Sequence, residues 1–178
     1  MFIDLIRARR SIRKYQQKPV EKEKIDLLIE TGLRAFSSRG SQPWEFVVVT
    51  DPQTIAKLSE AKKSGSAFLK DAPLAIVVCV DRTKTDMWIE DASIAAAVVH
   101  LAATDLGLGS CWIQIRLRDH APNQSSGAYV AGLLGLPKDL EVECMIAVGY
   151  PDEQKASHPA STLQYDKISR DQYGRKGQ

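Results

Sequence analysis

The sequence predicts one domain of mixed helix and strand in which helices outnumber strands. Three observations lead there. The chain has 178 residues, inside the span of about 100–200 that one domain usually takes, and can bury roughly 70% of its unfolded surface. Its apolar periods open α-α-β instead of repeating β-α-β. The first strand-to-helix junction, Val48-Val49-Thr50-Asp51-Pro52, carries no glycines to cradle a pyrophosphate, which excludes an ordinary dinucleotide-binding sheet.

Residues 2–10 place Phe2, Leu5 and Ile6 at helical spacing, and a polar segment then runs to Lys18-Pro19. A second helix is expected over about 21–36, with Ile25, Leu28, Ile29, Leu33 and Phe36 on one face. After the turn-rich SSRGSQP comes a strand at Phe46–Thr50. Asp51-Pro52 then starts a helix to about Lys63, with Asp as N-cap and Pro in the first turn. Leu74–Val80 reads as a continuous apolar strand.

The longest element, 86–106, is apolar on every face around Ile94-Ala-Ala-Ala-Val-Val. Such a helix is expected to be buried all round, in a core or between subunits. Ala96→Trp should then overpack it and disturb a dimer. Asp86, Glu90, Asp91, His100 and Asp105 exclude a membrane span. Gly107-Leu-Gly109 stops the helix ahead of a strand at Cys111–Ile115. A helix near 126–134 and a strand at Glu143–Val148 follow. From about 152 the chain is polar, and this tail is expected to be frayed or wrapped around a second subunit. No repeat, low-complexity tract or linker divides the chain, so residues 1–178 read as one domain.

Composition narrows the function classes. Lys plus Arg number 24 against 22 Asp plus Glu, a balance that gives no global attraction for nucleic acid. Cys79, Cys111 and Cys144 sit singly in apolar runs, as buried reduced thiols do, and form no zinc spacing. The opening MFIDLIRARR reverses the order of a signal peptide. A cytoplasmic protein is therefore expected. Gly107-x-Gly109 precedes a strand where a dinucleotide fingerprint would follow one, and no GxxxxGK[ST] loop occurs.

Three segments could carry chemistry. Arg9-Arg10-Ser11-Ile12-Arg13-Lys14-Tyr15 has the forked donors and hydroxyl that hold a phosphate monoester. Alone it reads more readily as a solvated basic helix end, which suits the helix dipole; a nucleic-acid contact is a third reading that no aromatic interleaving or wider basic stripe supports. Ser37-Ser38-Arg39-Gly40-Ser41-Gln42-Pro43-Trp44 offers amides and hydroxyls to a polar ring, or is an ordinary connection with a buried Trp. In Leu106-Gly-Leu-Gly-Ser-Cys-Trp-Ile113 the glycines cap a helix, and the strand after them could present its backbone to a planar ligand.

In this order and spacing, RRSIRKY, SSRGSQPWEFVVV, GLGSCWI and the closing AVGYP resemble the FMN-dependent nitroreductase family, over residues 2 to about 151. The resemblance implies an α+β fold: a central mixed, largely antiparallel sheet flanked by helices, in an intertwined homodimer. Two FMN molecules would lie in the interface, each touched by both chains. Arg9, Arg10, Ser11 and Arg13 would then hold the phosphate and ribityl region. Ser37, Ser38 and Gln42 match the loop that approaches FMN, with the serines coming from the other subunit. Ile113 and Gln114 match the strand whose backbone lies along the flavin ring.

The family mechanism is ping-pong. NADH or NADPH passes hydride to flavin N5, and a nitroaromatic, quinone or similar acceptor then takes its place. No catalytic side chain, metal, nucleic acid or membrane is implied. Arg10 or Arg13 would set a positive charge near the flavin N1–O2 edge.

The sequence departs from the family loop at Phe36, where Pro is usual, and at Gly40, where Asn is usual. Lys155, Lys167 and Arg170 match no family phosphate contact clearly. Other readings are a flavin-storage protein without turnover and a specialised flavin enzyme that dehydrogenates or reductively removes a substituent. A basic arm at Arg7 to Lys18 binding nucleic acid or an anionic surface is a further alternative.

Overall fold

The structure, a computed structural model, describes residues 1–176. Its helices are α1 (Phe2–Ala8), α2 (Lys22–Leu33), α3 (Pro52–Ser59), α4 (Trp88–Asp105) and α5 (Ser126–Leu134). Its strands are β1 (Trp44–Val49), β2 (Leu74–Asp81), β3 (Gly109–Gln114), β4 (Asp119–Ala121), β5 (Gln124–Ser125) and β6 (Leu140–Gly149).

Four strands form one sheet in the order β1-β2-β6-β3, and β4 and β5 form a separate small hairpin. Every pairing in the four-stranded sheet is antiparallel. The parallel component is one bridge, Ser11 to Ser110, on the outer edge of β3.

β2 is central and apolar throughout because both its faces are covered. Leu74, Ile76, Val78 and Val80 pack toward Leu28 of α2 and Ala92, Ala96 and Val99 of α4. Ala75, Val77 and Cys79 pack toward Ile55 and Leu58 of α3 and Val130 of α5. A strand buried on both sides loses the polar alternation of a half-exposed one. Asp51 caps α3 by accepting the Thr54 amide at 2.8 Å, with Pro52 in the first turn as the sequence predicts. Gly107, at φ 72°, closes α4. All three cysteines are buried and free, and burial pushes the Cys79 thiol up to about 12.

Three expectations need correction. The helix that starts at Pro52 stops at Ser59, short of Lys63. The second helix stops at Leu33, short of residue 36, and Leu33 and Phe36 are 53% and 72% exposed. The packed stripe runs through Leu28 and Gly32, where a Cβ would meet Phe46 at 2.8 Å and Val99 at 2.9 Å. Leu33 and Phe36 fall outside that stripe. The long helix, likewise, is not buried all round within the chain. Ala92, Ala95, Ala96, Val99 and Ala103 are buried, whereas Ala97 is exposed and Val98 and Leu101 are half-buried. Ala96 faces the chain's own sheet, so a bulky residue there would disrupt the protomer core first.

After β6, Pro151 bridges Tyr15, and the Asp152 amide bonds the Lys14 carbonyl at 2.9 Å. From Ala156 to Lys176 every residue except Ser169 is exposed. Among the described residues no helix is long and apolar enough to cross a membrane.

Candidate active site

The chain leaves α1 at Arg9, whose backbone is extended (φ −58°, ψ 127°). It then runs along the outer edge of β3, where the Ile12 amide donates to the Ser110 carbonyl at 3.0 Å. Gly109 permits this approach, since a Cβ there would lie 2.8 Å from Ile12. Leaving the helix at this point frees Arg9, Arg10, Ser11 and Arg13 from one helical face and spreads them over a corner of the sheet.

The C-terminal segment completes that corner. Lys155 Nζ donates to the Ser11 carbonyl at 2.7 Å and pairs with Glu153 at 3.0 Å. Glu153 in turn accepts the amides of Arg13 at 2.6 Å and Lys14 at 3.3 Å. The Arg13 amide, then Lys155, holds its carboxyl below the usual range. Arg10 donates to the Ala156 carbonyl. Arg13 lies over the Phe68 ring, 5.7 Å from its centroid. Arg9 reaches inward to His100, 3.2 Å away. Three arginines thus flank Ser11 along the chain and Lys155 bonds its carbonyl, with Glu153 as the carboxylate bonded to Lys155 and the Arg13 amide, a donor set that suits a phosphate dianion.

Further along β3, Ile113 is buried and Gln114 half-buried. The Gln114 side chain is engaged: its Oε1 accepts Trp112 Nε1 at 2.9 Å, and its Nε2 donates to Glu143 Oε1 at 3.2 Å. What the strand leaves open is backbone. Beyond the Ser11–Ser110 bridge, the outer edge of β3 has no strand partner among the described residues.

Ser37, Ser38 and Gln42 lie elsewhere. Their loop precedes β1, with Arg39, Gly40 and Gln42 all left-handed at φ 53°, 66° and 44°. Asn and Gly are the residues that tolerate this region, which accounts for Gly40 at the position where Asn is usual. Asp91 of α4 pins the loop, accepting the Ser38 amide at 2.7 Å and the Ser41 hydroxyl at 3.1 Å. Ser37 Oγ accepts the Gln42 amide at 3.0 Å.

The register sets this loop apart from the arginines. β1 begins at Trp44, opposite Val80 at the end of β2, whereas β3 begins at Gly109, opposite Gly149 at the end of β6. The two clusters therefore occupy opposite edges and opposite ends of the sheet. With about 4.8 Å between strands and about 3.3 Å per residue, they stand roughly 25 Å apart.

Three contributors escape the sequence reading. Lys155 carries no motif, and the return of the chain beside Ser11 brings it in. Asp91 reads as one charge among several on a long helix. His100 reads as a lone histidine, and only the packing of α4 on β3 gives it partners.

The nitroreductase family pattern matches residues 6–66 and 60–150. The chain belongs to the nitroreductase family. An FMN-dependent nitroreductase from Clostridium difficile R20291 is 46% identical, with a TM-score of 0.94 over 96% of this chain and 99% of that one. A chain of Archaeoglobus fulgidus, assigned as NADH dehydrogenase/NAD(P)H nitroreductase, is 34% identical over 176 residues, 96% of this chain and 98% of its own. The NADPH:FMN oxidoreductase of Vibrio harveyi, solved with NAD+, is 28% identical with a TM-score of 0.81, over 99% and 79% of the two chains. As a nitroreductase the protein is an α+β oxidoreductase, with the antiparallel sheet between helical layers described above.

Proposed function

We propose that the protein is an FMN-dependent NAD(P)H oxidoreductase, working as a homodimer with two sites shared between chains. One observation carries the reading: the Arg9, Arg10, Arg13 and Lys155 cluster around Ser11 lies at the head of a strand whose outer edge is open. A phosphate fits the cations, and a planar polar ring fits a row of free backbone groups. When bound, FMN supplies the redox chemistry, taking hydride from NADH or NADPH and passing it, in a second half-reaction, to a nitroaromatic, quinone or similar acceptor.

The chain's own residues bind and orient. Arg9, Arg10, Ser11, Arg13 and Lys155 hold the phosphate end, and the backbone of Ile113 and Gln114 faces the ring. Arg13 is better placed than Arg10 to balance negative charge on the ring, since Arg10 is tied to the Ala156 carbonyl. No side chain is needed as acid or base. His120 stacks on Tyr129, with ring centroids 3.9 Å apart, and His158 is exposed.

Sharing follows from the separation of the two clusters. Ser37, Ser38 and Gln42 reach a flavin held at the arginine corner only if they come from a second copy. The surface for that copy is the open side of α4 with α1, where a groove of about 600 Å³ is lined by Phe2, Leu5, Val98 and Leu101. Phe2 is 69% exposed in the single chain. Residues 153–156 stay bonded to their own chain, and in this arrangement the exposed segment from Ser157 to Lys176 lies along the partner.

The deciding experiment is the absorbance spectrum of purified protein supplied with FMN, before and after anaerobic NADH or NADPH. The expected result is a bound flavin spectrum that bleaches and recovers when menadione or a nitroaromatic is added. A flavin spectrum that persists with both donors would reassign the protein to flavin storage. Protein that takes up no FMN would overturn the reading.

A further inference from the structure

We propose that His100 is a positioning residue that fixes the Arg9 guanidinium in the anion cradle and so sets the preference for a phosphorylated flavin over an unphosphorylated one. The inference rests on the FMN reading above and assigns a role within that site.

A guanidinium has donors and no acceptor. The 3.2 Å contact from Arg9 Nη1 therefore requires a lone pair on His100 Nε2. The ring proton must then sit on Nδ1, where it is donated to Ser110 Oγ. Ser110 Oγ donates onward to the His100 carbonyl at 3.3 Å. Every link in this chain has one direction.

Ser110 is 1% exposed and serves both sides of the arrangement. Its hydroxyl orients the imidazole, and its carbonyl accepts the Ile12 amide at 3.0 Å. The strand that anchors the arginine segment thus also anchors the group that aims its first arginine. A free arginine side chain samples many rotamers, and an anion that captures it must order it. Here that ordering is done in advance by neutral groups, which leaves the guanidinium charge uncompensated for the ligand. A carboxylate at position 100 would hold Arg9 as firmly but neutralise it.

The test uses the full-length protein stripped of flavin, titrated with FMN and with riboflavin by flavin fluorescence. Arg9→Ala and His100→Leu should each weaken FMN about tenfold, the scale of one charge-assisted bond, and leave riboflavin within about twofold. The double variant should bind FMN no more weakly than Arg9→Ala alone, because both remove the same interaction. His100→Gln, whose amide oxygen can accept from Arg9, should restore most of the affinity. If His100→Leu fails to fold, Ser110→Ala, which removes the acceptor of the Nδ1 proton, carries the same comparison.

Equal losses for FMN and riboflavin, or losses that add fully in the double variant, would overturn the proposal and leave His100 a packing residue. Unchanged FMN binding by Arg9→Ala would overturn the cradle itself, a distinct result.

Discussion

Asp91 and Ser38, separated by 53 positions, are joined by a 2.7 Å bond from the Ser38 amide to the Asp91 carboxylate. The same carboxylate takes the Ser41 hydroxyl, so one buried side chain holds a loop with two non-glycine residues, Arg39 and Gln42, in the left-handed region. Such residues cost roughly 1–2 kcal/mol each, and the loop keeps its shape because Asp91 over-determines it. Asp91→Ala is expected to lower stability by about 2–4 kcal/mol, through loss of two bonds to a charged acceptor. Asp91→Asn should lose less. Urea unfolding of the three proteins measures the difference.

Lys155 should matter to flavin binding although it belongs to no motif. Lys155→Ala is expected to weaken FMN binding about tenfold through loss of one charge-assisted partner. Glu153 keeps its bonds to the Arg13 and Lys14 amides, so folding should be little affected. Equilibrium titration with FMN, paired with a melting curve, separates the two effects.

The open side of α4 gives a dimer test that Ala96 cannot. Val98 and Leu101 are half-buried in the single chain and Ala96 is fully buried. Val98→Asp with Leu101→Glu should convert dimer to monomer on sedimentation and release flavin, since each site would lose the loop of the other chain. Ala96→Trp should instead lower the melting temperature at any concentration.

Burial, then the neighbouring Arg9 charge, pushes the His100 imidazole down to about 4. An unfolded histidine titrates near about 6.5, so between these values the unfolded chain binds more protons. Stability should be complete above the upper value and fall as pH drops toward the lower one. Urea midpoints from pH 7 to pH 4 are expected to show this loss, and His100→Gln should flatten it.

Glu143 works in the opposite sense. Burial raises its pKa, and its Oε2 accepts no hydrogen bond among the described residues, with Arg116 Nε 3.9 Å away. The folded state therefore favours the protonated acid, and stability falls as pH rises above the ordinary carboxylate value. Glu143→Gln can keep the Gln114 contact without the buried charge. It should raise the melting temperature at pH 7 and give no gain near pH 4.

Sequence alone determined what depends on neighbours along the chain. The Asp51 cap, the Gly107 stop and the doubly buried β2 follow from local geometry and hydrophobic period, and each lies where the pattern puts it. The three candidate segments stand out in the sequence because a phosphate, a polar ring and a sheet edge would each call for particular residue types close together. Tertiary structure decided what depends on long-range packing. Leu33 and Phe36 share a helical period with buried residues, yet Gly32 fixes which stripe meets the sheet. α4 looked apolar all round because a helix pattern cannot say whether its second face meets the same chain or another. Lys155, Asp91 and His100 carry no local signal, since a side chain's partner across the fold is set by register and chain return. The diagonal placement of the serine loop and the arginine corner arises the same way, from an antiparallel strand order that no short motif encodes.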